Sequence, residues 1–302
     1  MTFRTERLKT IGAQVAGLNL DQGIDDDTQA ALRTLWDDVG MILFRNIGTD
    51  PARLLQLSRV FGEPERHPIP DFRHPEEPDL ILLTNKGRLQ GPVYAYDGVH
   101  TYGRIPWHTD LAFTTKPNAG ALLNMVEKAQ IGGRTAWLDT EAAYAALDPA
   151  LKQRIADKEL RFEFCADLSG MKFQNPGGVR ISKTKANFPD FPPIARPIVW
   201  THPTTGRTIM NVCPLNVRDV VGMSAAEGDA LIEELISAID RPEFIYEHDW
   251  AEGDIILWDN YRMMHRAEGH PVDLIRAVHR TTLKGDAAVG RVMSQESTAT
   301  AA

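Results

Sequence analysis

The run Pro106-Trp107-His108-Thr109-Asp110 constrains this chain more than any other stretch. On a strand, side chains two residues apart leave the same face, so His108 and Asp110 present an imidazole and a carboxylate together while Thr109 points away. Two such groups can share one metal ion but do not close a site. A fold that uses them has to bring a third ligand from far downstream, and His265 is the candidate.

With 302 residues the chain can bury a sizeable core, and no linker divides it. Hydrophobic residues at 43% and charged residues at 25% fit an ordinary globular protein. A formal charge of -8 with scattered basic residues offers no positive field for nucleic acid or an anionic membrane. Cys165 and Cys213 lack metal-knuckle spacing and suit core thiols in a reducing cytoplasm. A charged N-terminus and the lack of a long apolar run point to a soluble, unexported, cytoplasmic protein.

Along the chain, residues 8 to 20 alternate loosely as a strand. Asp25 to Gly40 reads as a helix with an acidic start and a glycine stop, and Met41-Ile42-Leu43-Phe44 as a buried strand. Asp50-Pro51 opens a second helix ending before Gly62. Residues 63 to 78 read as a surface loop. Leu80 to Leu83 form a strand, and the run 86–106 is a long connection in which Tyr94, Tyr96, His100, Tyr102 and Arg104 form a lid or pocket wall, or a loop packed by its own aromatics.

Strands are expected at 119–126 and 135–138, helices at 140–147 and 149–157, and an insertion near 165–195. Further strands fall at 198–200 and 209–212. Ser224-Ala225-Ala226-Glu227 is a capping box opening another helix. The last third is β-rich, with strands near 244–250, 254–258, 263–265 and 276–283, and residues 294–302 read as a disordered tail.

Two histidines and one carboxylate on one side of a metal leave adjacent positions open, as in non-haem Fe(II) oxygenases. The tripeptide alone is common, and a lone histidine such as His265 is more often a hydrogen-bonded core residue than a ligand. Arg276-Ala277-Val278-His279-Arg280 adds a second signal, because strand alternation sets both arginines with Val278 on one face and Ala277 with His279 on the other. Two inward cations need acidic side chains or small-molecule carboxylates or sulfonates.

These features together resemble the taurine/2,4-dichlorophenoxyacetate (TauD/TfdA) dioxygenases. The resemblance covers nearly the whole chain and rests on Phe61-Gly62-Glu63, Trp107-His108-Thr109-Asp110, Gly132-Gly133-Arg134-Thr135, Thr201-His202-Pro203, Trp258-Asp259-Asn260, His265 and the arginine pair. It implies a single domain over residues 1–302 in the β-rich α+β class, with a double-stranded β-helix (jelly-roll, cupin-like) core flanked by helices. It also implies an Fe(II)- and 2-oxoglutarate-dependent dioxygenase that uses O2, forms succinate and CO2, and hydroxylates a small carboxylate- or sulfonate-bearing substrate. His108, Asp110 and His265 would bind iron, Thr135 and Arg276 the distal carboxylate of 2-oxoglutarate, and Arg280 would face the substrate. Trp258, Asp259 and Asn260 would shape the turn before His265 rather than touch substrate. A dimer or tetramer is the family expectation.

His67 aligns with a substrate-contacting histidine of the taurine enzymes, but Pro70, Arg104 and Cys213-Pro214-Leu215 depart from their pattern. An anionic group held by Arg280, with His67 or Arg104, and an apolar body against Tyr94, Tyr96 and Tyr102 therefore fit better than taurine. The competing readings are a redox-silent metal-dependent hydrolase or isomerase, and a ligand-binding protein, on the same jelly-roll.

Overall fold

Alternating side-chain direction along its central strands, which are buried on both faces, builds the core of the molecule as two facing, mainly antiparallel sheets with helices outside both. The computed structural model describes residues 3–67, 72–87, 89, 91–182 and 189–294. The larger sheet runs, edge to edge, Arg4–Arg7, Ala13–Ala16, Met41–Phe44, Ile255–Asp259, Gly120–Glu127, Ala277–Leu283 and Ile81–Thr84. Within it only the pairing of Ala13–Ala16 with Met41–Phe44 is parallel. The smaller sheet runs Ile245–His248, Thr135–Asp139, Met263–Ala267 and Ile105–His108. Pro106 is tolerated there because its strand lies at an edge, where a missing N–H costs no ladder bond.

The inward faces meet in one cluster: Leu123, Met125, Ile256, Trp258 and Val278 of the larger sheet pack with Trp137 and Met263 of the smaller. The alternate residues Leu122, Ile255 and Leu257 face outward onto Leu32 of helix Asp26–Val39 and Leu54 and Leu57 of helix Pro51–Phe61. On the far side, Ala136, Leu138 and Met264 pack against helices Pro149–Ile155 and Ala225–Ile239. Period-two alternation thus serves two cores at once, and every polar side chain on the inner face is left between the sheets.

The local signals for helix ends act as expected. Asp25 accepts from the Thr28 N–H, and Gly40 closes the first helix at φ 69°. Asp50 caps the second helix, whose first residue is Pro51. Ser224 accepts from the Glu227 N–H while its hydroxyl donates to the Glu227 carboxylate, so that carboxylate meets the Ser224 hydroxyl. Among the described residues no helix is long and apolar enough to cross a membrane.

Three expectations need correction. Residues 8 to 20 hold only the strand Ala13–Ala16, and its hairpin partner is the charged strand Arg4–Arg7, whose exposed side chains carry no apolar signal. The run 86–106 contains a hairpin, Val93–Tyr96 with Val99–Tyr102, turned at Asp97-Gly98 with φ 49° and 81°. An Asp-Gly pair between alternating residues is a strong hairpin signal, and it was present in the sequence.

The 165–195 region, of which 183–188 lie outside the described residues, holds a short 3-10 turn at Leu168–Gly170 and a strand, Val179–Arg180, that extends this hairpin. Its end belongs to a sheet that the sequence reading missed, in the order Val217–Val220, Glu159–Phe162, Ile194–Pro197 and Arg291–Val292. Pro70 and the tail beyond Ser294 lie outside the described residues.

Candidate active site

Strand register sets His265 directly opposite His108, with ring centroids 4.0 Å apart. Asp110 does not sit on the strand as expected: the strand ends at His108, and Asp110 begins a turn. Its carboxylate still reaches the pair, with Oδ1 3.8 Å from His265 Nε2. One ligand atom from each of His108, Asp110 and His265 lies within 4.8 Å of the other two.

His108 Nδ1 donates to the Pro106 carbonyl at 2.8 Å, since a carbonyl can only accept. That assigns the tautomer and leaves the Nε2 lone pair free. Burial pushes both imidazoles below the ordinary histidine range; in His265 the neighbouring His108 adds to the effect and Asp110 opposes it. Burial would raise the Asp110 carboxyl, but Arg280, His265 and His108 overcome it and hold it at about 2. Two neutral imidazoles and an ionised carboxylate converging on one space are the donor set a divalent transition metal requires, and the residues fit that group.

Arg276, Val278 and Arg280 line the same cavity, as the alternation required, while His279 turns away and meets His74 edge-on. Arg280 donates to Asp110 Oδ2 and lies over the Trp258 ring, 5.4 Å from its centroid, so one of its donors is spent on the cluster rather than wholly on the substrate side. Its Nε is buried without an acceptor.

Arg276 has no ion-pair partner among the described residues, and its Nε is also buried and unpaired. Burial lowers this guanidinium to about 10. Thr135 is buried nearby and its hydroxyl oxygen accepts from Trp250 Nε1 at 3.0 Å, which leaves its own proton free to donate elsewhere. Gly133, at φ 79°, brings the backbone so close that an added Cβ would stand 3.2 Å from Arg276 Cδ and Nε.

The cavity holds about 410 Å³, the scale of a small-molecule site. Beyond the charged floor its wall is largely apolar and includes Phe72, Tyr94, Tyr102, Phe164 and Leu215. Arg104 is exposed at the rim, stacked over the Tyr96 ring at 4.4 Å. Tyr96 stands behind that arginine rather than in the wall. His67 is not in the wall either; its ring packs edge-on against Phe72, which is.

Trp258 corrects the expectation that it only shapes a turn, for it lines the cavity with its ring 4.9 Å from that of His265. Asp259 does shape the turn, accepting from the Tyr261 and Arg262 N–H groups and from His202 Nε2. The wall residues Phe72, Phe164 and Leu215 went unrecognised because apolar side chains in loops carry no periodic signal.

Residues 4–282 match the family model described as "Taurine catabolism dioxygenase TauD, TfdA family". Over 283 residues the chain is 27% identical to a protein named (S)-phenoxypropionate/alpha-ketoglutarate-dioxygenase from Sphingobium herbicidovorans, covering 92% of this chain and 93% of that one. It is 28% identical to an alpha-ketoglutarate-dependent 2,4-dichlorophenoxyacetate dioxygenase from Cupriavidus pinatubonensis, covering 92% and 96%. Among solved structures it superposes with a TM-score of 0.73 on one described as AAD-2 in complex with Mn(II) and N-oxalylglycine, at 24% identity over 96% of this chain and all of that one.

Proposed function

We propose that this chain, which belongs to the taurine catabolism dioxygenase TauD, TfdA family, oxidises a small organic anion at the His108, Asp110 and His265 centre with Fe(II), 2-oxoglutarate and O2. Bound there, the metal supplies O2 activation coupled to oxidative decarboxylation of 2-oxoglutarate, giving succinate, CO2 and a hydroxylated substrate. His108 Nε2, His265 Nε2 and Asp110 Oδ1 would hold the ion. Arg280 occupies Oδ2 and so turns the other oxygen toward the imidazoles.

The observation that carries this reading is Arg276. A guanidinium withdrawn from water without a carboxylate partner is unfavourable unless a ligand supplies the anion. Arg276 with the Thr135 hydroxyl forms a clamp for the distal carboxylate of 2-oxoglutarate. The unspent donors of Arg280 face the substrate's anionic group, and the apolar wall takes an aryl or alkyl body. The two relatives named above act, by their names, on aryloxyalkanoates, which combine those two parts. Arg104 at the rim attracts the anion on entry.

The test is succinate release from 2-oxoglutarate under air, with Fe(II) and ascorbate, across aryloxyalkanoates, sulfonates, sulfate esters and terpenoid carboxylates. Stimulation by one class together with an oxygenated product supports the reading. Iron-loaded protein that neither consumes 2-oxoglutarate nor develops its metal-dependent charge-transfer band would overturn it in favour of redox-silent chemistry.

A further inference from the structure

Asp110 stands two residues beyond the end of its strand, so no ladder fixes its backbone. The next residue, Leu111, adopts φ 54°, a region that a branched side chain rarely enters. A ligand on such a turn would wander unless other groups held it. Two side chains do.

The Asn260 amide acts as a surrogate strand partner: its Oδ1 accepts from the Asp110 N–H at 2.8 Å, and its Nδ2 donates to the Asp110 carbonyl at 3.0 Å. The same Nδ2 donates to the backbone and side-chain oxygens of Asn118, both at 3.1 Å. Asn260 is 2% exposed and Asn118 1%, so water does not compete for these bonds. From the other side, Arg196 donates to the carbonyls of Leu111 and Thr114.

We infer that Asn260 is a positioning residue of the metal centre, holding the Asp110 backbone so that its carboxylate meets the two imidazoles. This rests on the metal-centre reading above. Asn260 belongs to the turn between Ile255–Asp259 and Met263–Ala267, and the latter strand carries His265. One side chain therefore ties the turn bearing the carboxylate to the hairpin that delivers the far histidine. A side-chain amide suits the task because it repeats the donor and acceptor of a peptide group, whereas a carboxylate in its place would set negative charge against three oxygens.

The experiment titrates the metal-free full chain with Mn(II), reading free ion by electron paramagnetic resonance, and records thermal unfolding of each sample. Wild type and the variants Asp110→Ala, Asn260→Ala and Asn260→Ser are compared; the serine variant keeps a polar group but cannot span both Asp110 bonds, which keeps the test open if the alanine variant does not fold. The expected result is that each folded Asn260 variant binds Mn(II) roughly 10- to 100-fold more weakly than wild type. Wild-type Mn(II) affinity in a folded Asn260 variant, with only a lower unfolding temperature, would overturn the inference and leave the metal centre standing. Failure of the wild-type chain to bind Mn(II), with no change in Asp110→Ala, would overturn both.

Discussion

His108 and His265 are 157 positions apart, yet they oppose one another across a single ladder, and burial keeps both neutral, with the neighbouring His108 adding to the effect on His265. Replacing His265 with alanine is expected to abolish iron-dependent succinate formation while circular dichroism still reports a folded chain. Unchanged turnover would remove His265 from the ligand set. Arg276→Ala takes away a charge-assisted pair worth ~1.5 to 3 kcal/mol, so the KM for 2-oxoglutarate should rise on the order of 10- to 100-fold with a smaller change in kcat. Gly133→Ala tests the same clamp without removing charge, since its Cβ would press on Arg276 from 3.2 Å and the backbone stands at φ 79°. It should move the same KM. Steady-state kinetics that showed both variants affecting only the primary substrate would exchange the roles assigned to Arg276 and Arg280.

At the scale of elements, the hairpin Val93–Tyr96 and Val99–Tyr102 brings Tyr94 and Tyr102 to the cavity wall. Tyr94 is fixed by donating to Asp167 Oδ1 and accepting from the Leu168 N–H, so the hairpin is tied to the neighbouring loop as well as to its own turn. Gly98 sits at φ 81°, where a β-branched residue is strained. Gly98→Val is expected to raise the KM for the primary substrate several-fold and leave that for 2-oxoglutarate unchanged, because the proposed cosubstrate clamp stands on the strand Thr135–Asp139 and on the residue that leads into Ala277–Leu283. Equal effects on both constants would make the hairpin a general support rather than a substrate wall. By contrast Asp50→Ala removes a helix cap remote from the cavity, and urea unfolding should show a loss of ~1 kcal/mol with both KM values retained.

Across the whole molecule, the sandwich buries polar groups on both faces of its larger sheet, and these groups set its acid sensitivity. His279 lies on the face opposite Arg276 and Arg280, against the His74 ring, and burial lowers it to about 4. The unfolded chain takes up a proton near the ordinary histidine value of ~6.5, whereas the folded chain resists until about pH 4. Stability attributable to His279 is therefore whole above pH 6.5 and lost as pH falls toward 4, with a slope on the order of 1 kcal/mol per pH unit. Urea midpoints measured from pH 7 to 4.5 should fall more steeply in wild type than in His279→Gln. Parallel curves would remove His279 from the acid loss, since carboxylates such as Asp167, which its hydrogen bonds and Arg180 hold at about 2 against the effect of burial, lose their stabilisation only at lower pH, below the ordinary carboxylate value of 3.8.

The parts legible in the amino-acid order are those that depend on neighbours in sequence. Caps at Asp25, Asp50 and Ser224 marked helices, runs such as Met41 to Phe44 marked buried strands, and the Arg276 to Arg280 alternation placed two cations on one face before any partner was known. The residue types of the proposed metal centre could be named there too, because imidazole and carboxylate spacing is a chemical statement.

Three things depended on tertiary structure: the register that sets His265 against His108, the spending of one Arg280 donor on Asp110, and the grip of Asn260 on a turn that no ladder reaches. Each is a contact between segments about 150 residues or more apart. Local propensity carries no information about such contacts, since the energy that selects them comes from packing two sheets together and from satisfying every polar group trapped between them.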